Sequence, residues 1–404
     1  MRYRLRPLVI RAFLVVALVI SLPSPAARAE PPAAAIEGQP IPEGKPTRIE
    51  CSHDGSGPIL VSPGDKAQAG TFHYDVVLPS GYHAAADRRY PCLFIAGPAG
   101  SPGLGDFGNW VRSRGWIAIL LVESRNGQWE PILGNFYAAH DDAIRRFRIL
   151  EGWKFATGFS GGSRASSLFV QSRPGFGGLF LQGAGFAYRA DRQGEYYTGE
   201  LTKVPHLAVF GAFGNSDPNA SEIERLQRAL PKTIALRLET FEGRHVGPPR
   251  PLAEEGLAWL EARLWERLPA TPERRTAAAQ HLRDRITALE SAAPYARWKA
   301  LGELSVFAGR YGLKSGPGSI PEAAALDRTL AELRQDPTVQ RELLAAQALA
   351  RAEQSEANER RRGKLTDLAS RSLARQYAEV SRQYPDTEAA ATATQKAAVF
   401  GAAP

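Results

Sequence analysis

Short apolar runs alternate with longer amphipathic stretches from residue 51 to 267, and this rhythm of strand and helix predicts an α/β architecture. Residues 72–78 alternate apolar and polar positions, as an edge strand does. Residues 92–96 and 116–122 are unbroken apolar runs, which suits strands buried on both faces. Residues 153–157, 178–182, 206–210 and 233–238 add further strands, and 107–114, 135–147 and 161–171 read as helices. An amphipathic stretch at 252–266 closes this region. From residue 268 to 404 strand runs vanish. Leu282, Ile286 and Leu289 recur at helical spacing, as do Leu326, Leu330 and Leu333, then Val339, Leu343 and Ala346. That pattern predicts an all-α domain, either a bundle or a degenerate helical repeat, broken once at Gly316-Pro317-Gly318.

The first 29 residues stand apart. Arginines at 2, 4, 6 and 11 precede an uncharged apolar run over residues 12–22, and Ala27-Arg28-Ala29 follows. This is the layout of a signal peptide cleaved after Ala29, and it predicts export to the periplasm or beyond. The run is shorter than the ~20 residues that span a bilayer, so no stable membrane insertion is expected after cleavage. Residues 30–50, rich in Pro, Ala, Glu and Gly, read as a linker.

The formal net charge of the whole chain is +8. Five arginines and no acids lie within residues 1–29, so the rest carries only +3. That balance gives no reason to expect a nucleic-acid partner. The two cysteines, Cys51 and Cys92, leave two readings open. Export permits a disulfide, whose loop of about 40 residues would contribute ~3–4 kcal/mol. Equally, both are buried free thiols. Their spacing does not suggest zinc.

The candidate chemistry centres on Gly158-Phe159-Ser160-Gly161-Gly162. A predicted strand leads into it and a predicted helix leads out, the setting of the G-x-S-x-G nucleophile elbow. Such a turn lifts a serine hydroxyl out of the sheet and sets the next amide, here Gly161, at a helix N-terminus, where it meets an oxyanion. A serine nucleophile needs a base and a carboxylate to orient that base. Three histidines follow Ser160. His206 opens an apolar strand, and His281 lies on a charged helix. His245 lies in a loop between the last strand and the last helix, and is the expected base. Asp217, in the turn after residues 206–210, is the expected acid, ahead of Asp191 and Glu242. A second oxyanion donor is expected from the loop 97–100. Pro98 has no N–H, so Ala99 or a neighbouring amide is the candidate. His140-Asp141-Asp142 reads as a solvated helix face rather than a metal site, and Arg164 as a paired structural arginine. No metal or cofactor is expected.

On this elbow, the Asp217 turn, the 243–245 loop and the β/α order, residues 51–267 resemble an α/β-hydrolase, particularly the secreted bacterial esterase-like members. The resemblance implies an α/β-hydrolase sheet flanked by helices. It implies hydrolysis of a small-molecule or polymeric ester, less often an amide, by Ser160, His245 and Asp217. The stretch 185–204 is short where many lipases and peptidases carry a large cap, which implies an open site. Residues 384–390 are similar to the closing helix of tetratricopeptide-like repeats, and a protein partner is expected through 268–404. Two other expectations compete: a binding scaffold without catalysis, and a serine peptidase with a different pocket.

Overall fold

The structure, a computed structural model, describes residues 34–267, 271–361 and 365–401. The segment 1–29 read as a signal peptide lies outside the described residues. The chain divides into two compact units, Met1–Arg267 and Leu268–Pro404.

In the first unit a small hairpin, β1 (Ala35–Ile36) and β2 (Gln39–Pro40), precedes β3 (Thr47–His53), β4 (Gly70–Val77) and β5 (Tyr90–Ala96). Then come α1 (Gly108–Arg114), β6 (Ile117–Leu121), α2 (Trp129–Arg146), β7 (Ile149–Phe159), α3 (Gly161–Ser172) and β8 (Phe176–Gln182). The unit ends with β9 (Ala208–Gly214), α4 (Glu222–Ala229), β10 (Ala235–Phe241) and α5 (Arg250–Arg267). Eight strands form one sheet in the order β10-β9-β8-β7-β5-β6-β4-β3. Only β4 runs against the others; every neighbouring pair from β6 to β10 is parallel. This is a mixed, mostly parallel α/β sheet flanked by helices. Its central strands are continuous apolar runs because both faces are covered: β6, β8 and β9 are buried at every residue.

Strand periodicity divides the core into two aromatic layers. On β7, Trp153 and Phe155 alternate with Lys154 and Ala156, so the two pairs face opposite sides. Trp153 meets Trp265 of α5 at 4.2 Å, and Phe155 stacks on Trp116 at 4.6 Å. On the other face Phe136 of α2 stacks on Phe169 of α3 at 4.0 Å, with Phe94 and Phe176 beside them. These layers clamp β7, the strand that leads to Ser160, from both sides.

Two expectations about the strands need correction. Residues 30–50 are not simply a linker, since Ala34 and Ile41 are buried and residues 47–50 open β3. Ile49 and Cys51 point inward while Arg48, Glu50 and Ser52 point out; two apolar side chains suffice to anchor an end strand. Because β3 covers it, β4 is not an edge strand. Of the two readings left open for Cys51 and Cys92, buried free thiols is the one found. They sit on β3 and β5, three strand spacings apart or ~14 Å, whereas a disulfide needs Cα atoms within about 7 Å. Burial pushes the Cys51 thiol up to about 12, so it is unreactive at neutral pH.

His140 is also buried rather than on a solvated face, because α2 lies flat on the sheet. Its Nε2 lies 2.7 Å from Lys154 Nζ and its Nδ1 2.7 Å from Asp141 Oδ1; Arg173 holds the other side of Asp141 at 2.8 Å. Burial pushes His140 down to about 4, against the pull of Asp141, so the ring is neutral and accepts from Lys154. Burial likewise pushes Lys154 down to about 8, with Glu151, Cys92 and Asp141 opposing and Arg173 assisting. Between pH 8 and the ordinary lysine pKa near 10.4, the unfolded chain therefore holds a proton that the folded chain has released. Stability contributed by this group rises with pH across that window, by roughly 2–4 kcal/mol in total, and is flat below it. Denaturant titrations at pH 7.5 and 10 should show this rise in the native protein relative to Lys154→Met, in which it disappears.

The second unit is all-α. Its described residues contain α6 (Pro272–Ala288), α7 (Pro294–Arg310), α8 (Pro321–Leu333), α9 (Pro337–Arg361), α10 (Asp367–Gln383) and α11 (Glu388–Gly401). Proline opens four of them, where its missing N–H costs nothing. Thr271 and Thr366 cap α6 and α10 through their hydroxyls. Each helix packs on a neighbour in the chain, α6 on α7, α7 on α8, α9 on α10 and α10 on α11. Tyr377 and Phe400 stack at 5.8 Å within the core of the last three helices, which Leu373, Val380 and Ala393 complete. His281 is half-buried against Phe307. No helix among the described residues is long and apolar enough to cross a membrane.

Candidate active site

Ser160, Asp217 and His245 follow the carboxyl ends of β7, β9 and β10, and all three converge at that edge of the sheet. This is where open α/β sheets form ligand crevices. Ser160 has φ 53° and ψ −116°, a strained conformation for a non-glycine residue. Its surroundings hold it there. Ser160 N–H donates to Gln182 O on β8 at 2.8 Å. Buried Ser163 donates to Gly158 O at 2.6 Å and accepts from Gln182 N–H at 2.6 Å, which pins the first turn of α3 to β7 and β8. The glycines on either side have a packing reason. A Cβ at Gly158 would lie 2.5 Å from Ala96 O, and one at Gly162 would collide with the same carbonyl.

His245 Nε2 lies 2.9 Å from Ser160 Oγ, and Nδ1 lies 2.9 Å from Asp217 Oδ2. A carboxylate only accepts, so Nδ1 carries the proton and Nε2 is left to accept from the serine hydroxyl. The Asp217 side chain is fully buried, whereas that of His245 is 36% exposed. The carboxylate is thus enclosed and the imidazole is open to solvent. Asp217 is further fixed because its Oδ1 accepts Asn219 N–H at 2.8 Å, the cap of a short 3-10 turn at Pro218–Ser221. Backbone bonds tie the two loops together: Asn215 N–H to Phe241 O at 2.8 Å, and Ser216 N–H to Gly243 O at 2.9 Å. The ring of Phe159 packs on His245 at 4.7 Å.

Gly161 is the first residue of α3, and its N–H has no acceptor within the helix. Ala99 lies in the loop after β5, bridged to Arg125 in the loop after β6. The start of that first loop touches the elbow, since a Cβ on Gly162 would come within 3.2 Å of Gly97 N. The stretch 185–204 contains a single 3-10 turn, Leu201–Lys203. Arg164 is paired, with Glu222 at 2.6 Å, and Glu222 also accepts Tyr196 O–H and Gly185 N–H. This buried knot fixes the short 185–204 segment beside the elbow. Asp191 pairs with Arg189 instead, and His206 is exposed. Among the described residues no three His, Cys, Asp or Glu side chains converge as metal ligands do.

Pattern reasoning passed over Ser163, Gln182, Asn219 and Asn126. The first three act through backbone bonds that only the folded chain creates. Asn126 had a weak signal, a polar residue in Asn126-Gly127 just past a buried strand.

No protein-family model matches the chain, and no curated protein matches it in sequence. Among solved structures the fold is similar to a ferulic acid esterase, at 12% identity and TM-score 0.38 over 55% of this chain and 98% of that one. It is also similar to an IroE-like serine hydrolase from Shewanella oneidensis, at 13% identity and TM-score 0.39 over 72% and 99%. A third is an S-formylglutathione hydrolase from Agrobacterium tumefaciens, at 11% identity and TM-score 0.38 over 55% and 98%.

Proposed function

We propose that this protein is an exported serine hydrolase that cleaves a carboxylic ester. The observation that carries the reading is the unbroken relay from Ser160 Oγ through His245 to buried Asp217, with 2.9 Å at each step. Ser160 attacks the acyl carbon while His245 Nε2 takes its proton, and Asp217 stabilises the resulting imidazolium. The oxyanion is held by Gly161 N–H, aided by the α3 dipole, and by an amide of the 97–100 loop, for which Ala99 is the candidate. His245 then returns the proton to the leaving alcohol, and a water repeats the sequence to release the acid. The short 185–204 segment favours an accessible site and a small or polymeric ester over a lipid interface. Export rests on the n-region, apolar run and Ala27-Arg28-Ala29 of the N-terminus.

The test is labelling of the chain from Glu30 onward with a fluorophosphonate probe, beside Ser160→Ala. The probe needs an activated serine and no knowledge of substrate. Labelling of the native protein that disappears in the variant is expected. Absence of labelling in folded native protein would refute the reading.

A further inference from the structure

The space beside Gly161 is occupied by a side chain from elsewhere. A Cβ at Gly161 would overlap Asn126 Oδ1 and come within 3.4 Å of Asn126 Nδ2. The glycine after the nucleophile therefore leaves room for a carboxamide against the elbow. Asn126 is exposed, and its carboxamide has no hydrogen-bond partner among the described residues. An amide held against a reactive turn, open to solvent and unused by the fold, is available to a ligand.

Its placement is built rather than incidental. Asn135, fully buried on α2, accepts Glu123 N–H and Ser124 N–H at 3.1 Å each, and donates to His73 O at 2.8 Å. Glu123 takes His73 N–H at 2.9 Å and sits 2.8 Å from the His73 ring. On the other side Asn126 N–H bonds Pro98 O at 2.8 Å, and Ser101 N–H bonds Val122 O at 2.9 Å. The loop after β6 is thereby stitched both to β4 and to the loop proposed to supply the second oxyanion amide. A loop fixed in this way keeps the Cα of Asn126 beside the elbow, so only the side chain has to orient as charge appears.

We propose that Asn126 is a substrate-contacting residue of this site, whose carboxamide donates to the acyl oxygen alongside Gly161 N–H. This rests on the hydrolase reading above and deepens it. Half a turn of the amide exchanges Oδ1 and Nδ2 and brings the donor to the elbow with the loop unmoved. The oxyanion site then has a side-chain donor in addition to backbone amides.

The experiment compares native protein, Asn126→Ala, Asn126→Asp and Asn126→Ser with p-nitrophenyl butyrate, reading kcat, KM and Tm. For Asn126→Ala the expected result is a kcat lower by about 10²-fold, as for other single oxyanion donors, with little change in KM or Tm. Asn126→Asp should be slower still, because a carboxylate accepts and repels the oxyanion, while Asn126→Ser should recover part of the loss. A kcat for Asn126→Ala within about twofold of the native value overturns the proposal. Equal losses in the Ala and Asp variants, each in step with a fall in Tm, also overturn it, and leave Asn126 a strut. Native protein that neither hydrolyses nor takes the fluorophosphonate overturns the hydrolase reading and this inference with it. An active native protein with an inert Ser160→Ala and an unaffected Asn126→Ala overturns the inference alone.

Discussion

Ser160→Ala should lower ester hydrolysis by at least about 10⁴-fold while leaving the fold intact. The two halves of this expectation have separate causes. Activity falls because Oγ is the atom placed to bond the acyl carbon; the oxyanion amides left behind can still polarise a carbonyl, which is why a small residue of rate survives. The fold stays because Ser160 is held through its backbone, by Gln182 O and by the α3 turn, and not through its hydroxyl. Alanine suffers the same strain at φ 53° as serine does. Progress curves with p-nitrophenyl esters and a thermal melt check both halves. An alanine variant that retains more than a few per cent of the rate sinks the assignment of Ser160.

Asp217→Asn is expected to cost about 10³–10⁴ in kcat at neutral pH, with KM nearly unchanged. Asparagine fits the same buried space and can still accept Asn219 N–H through its carbonyl. Its remaining group is then an NH₂ that faces His245 Nδ1, where a carboxylate stood 2.9 Å away. Two donors cannot face each other, so the imidazole takes the tautomer with its proton on Nε2. That nitrogen then points a hydrogen at Ser160 Oγ and no longer serves as base. Because the exchange is isosteric, the Tm should move by only a few degrees. Steady-state kinetics against a melt decides the matter: a loss of rate below tenfold in a well-folded variant would remove Asp217 from the relay.

The parts of this protein that were legible in its sequence are those where geometry restricts residue type. The elbow is one. Gly158 and Gly162 both press on Ala96 O, so only glycine fits at either position, and the pattern survives in one dimension. The buried strands are another, since a parallel strand covered on both faces is filled mostly by apolar side chains. His245 was legible from chain order alone, as the histidine between the last strand and the last helix. Other features depend on partners far away in the chain. β3 rests on Ile49 and Cys51 within a stretch of linker-like composition, so nothing local reveals it. Lys154 is surrounded by apolar residues in sequence, and its neutral acceptor His140 comes from the preceding helix. Asn126 reaches Gly161 only after two loops have been laid side by side.

The position of β10 carries a consequence for inactivation. It is the terminal strand of the sheet, paired only to β9, and none of its residues is fully buried, whereas β9 is buried throughout. Yet the loop bearing His245 hangs from its end. Opening of this one margin is a local event, less costly than disruption of the central strands. On the proposed function, such an opening would withdraw His245 from Ser160 while the core remains closed, which predicts a folded but silent state. On that reading, the expected signature is reversible loss of turnover under mild denaturant with intact tryptophan fluorescence from the Trp153 and Trp116 layer, because a terminal strand without a fully buried residue carries the loop of His245.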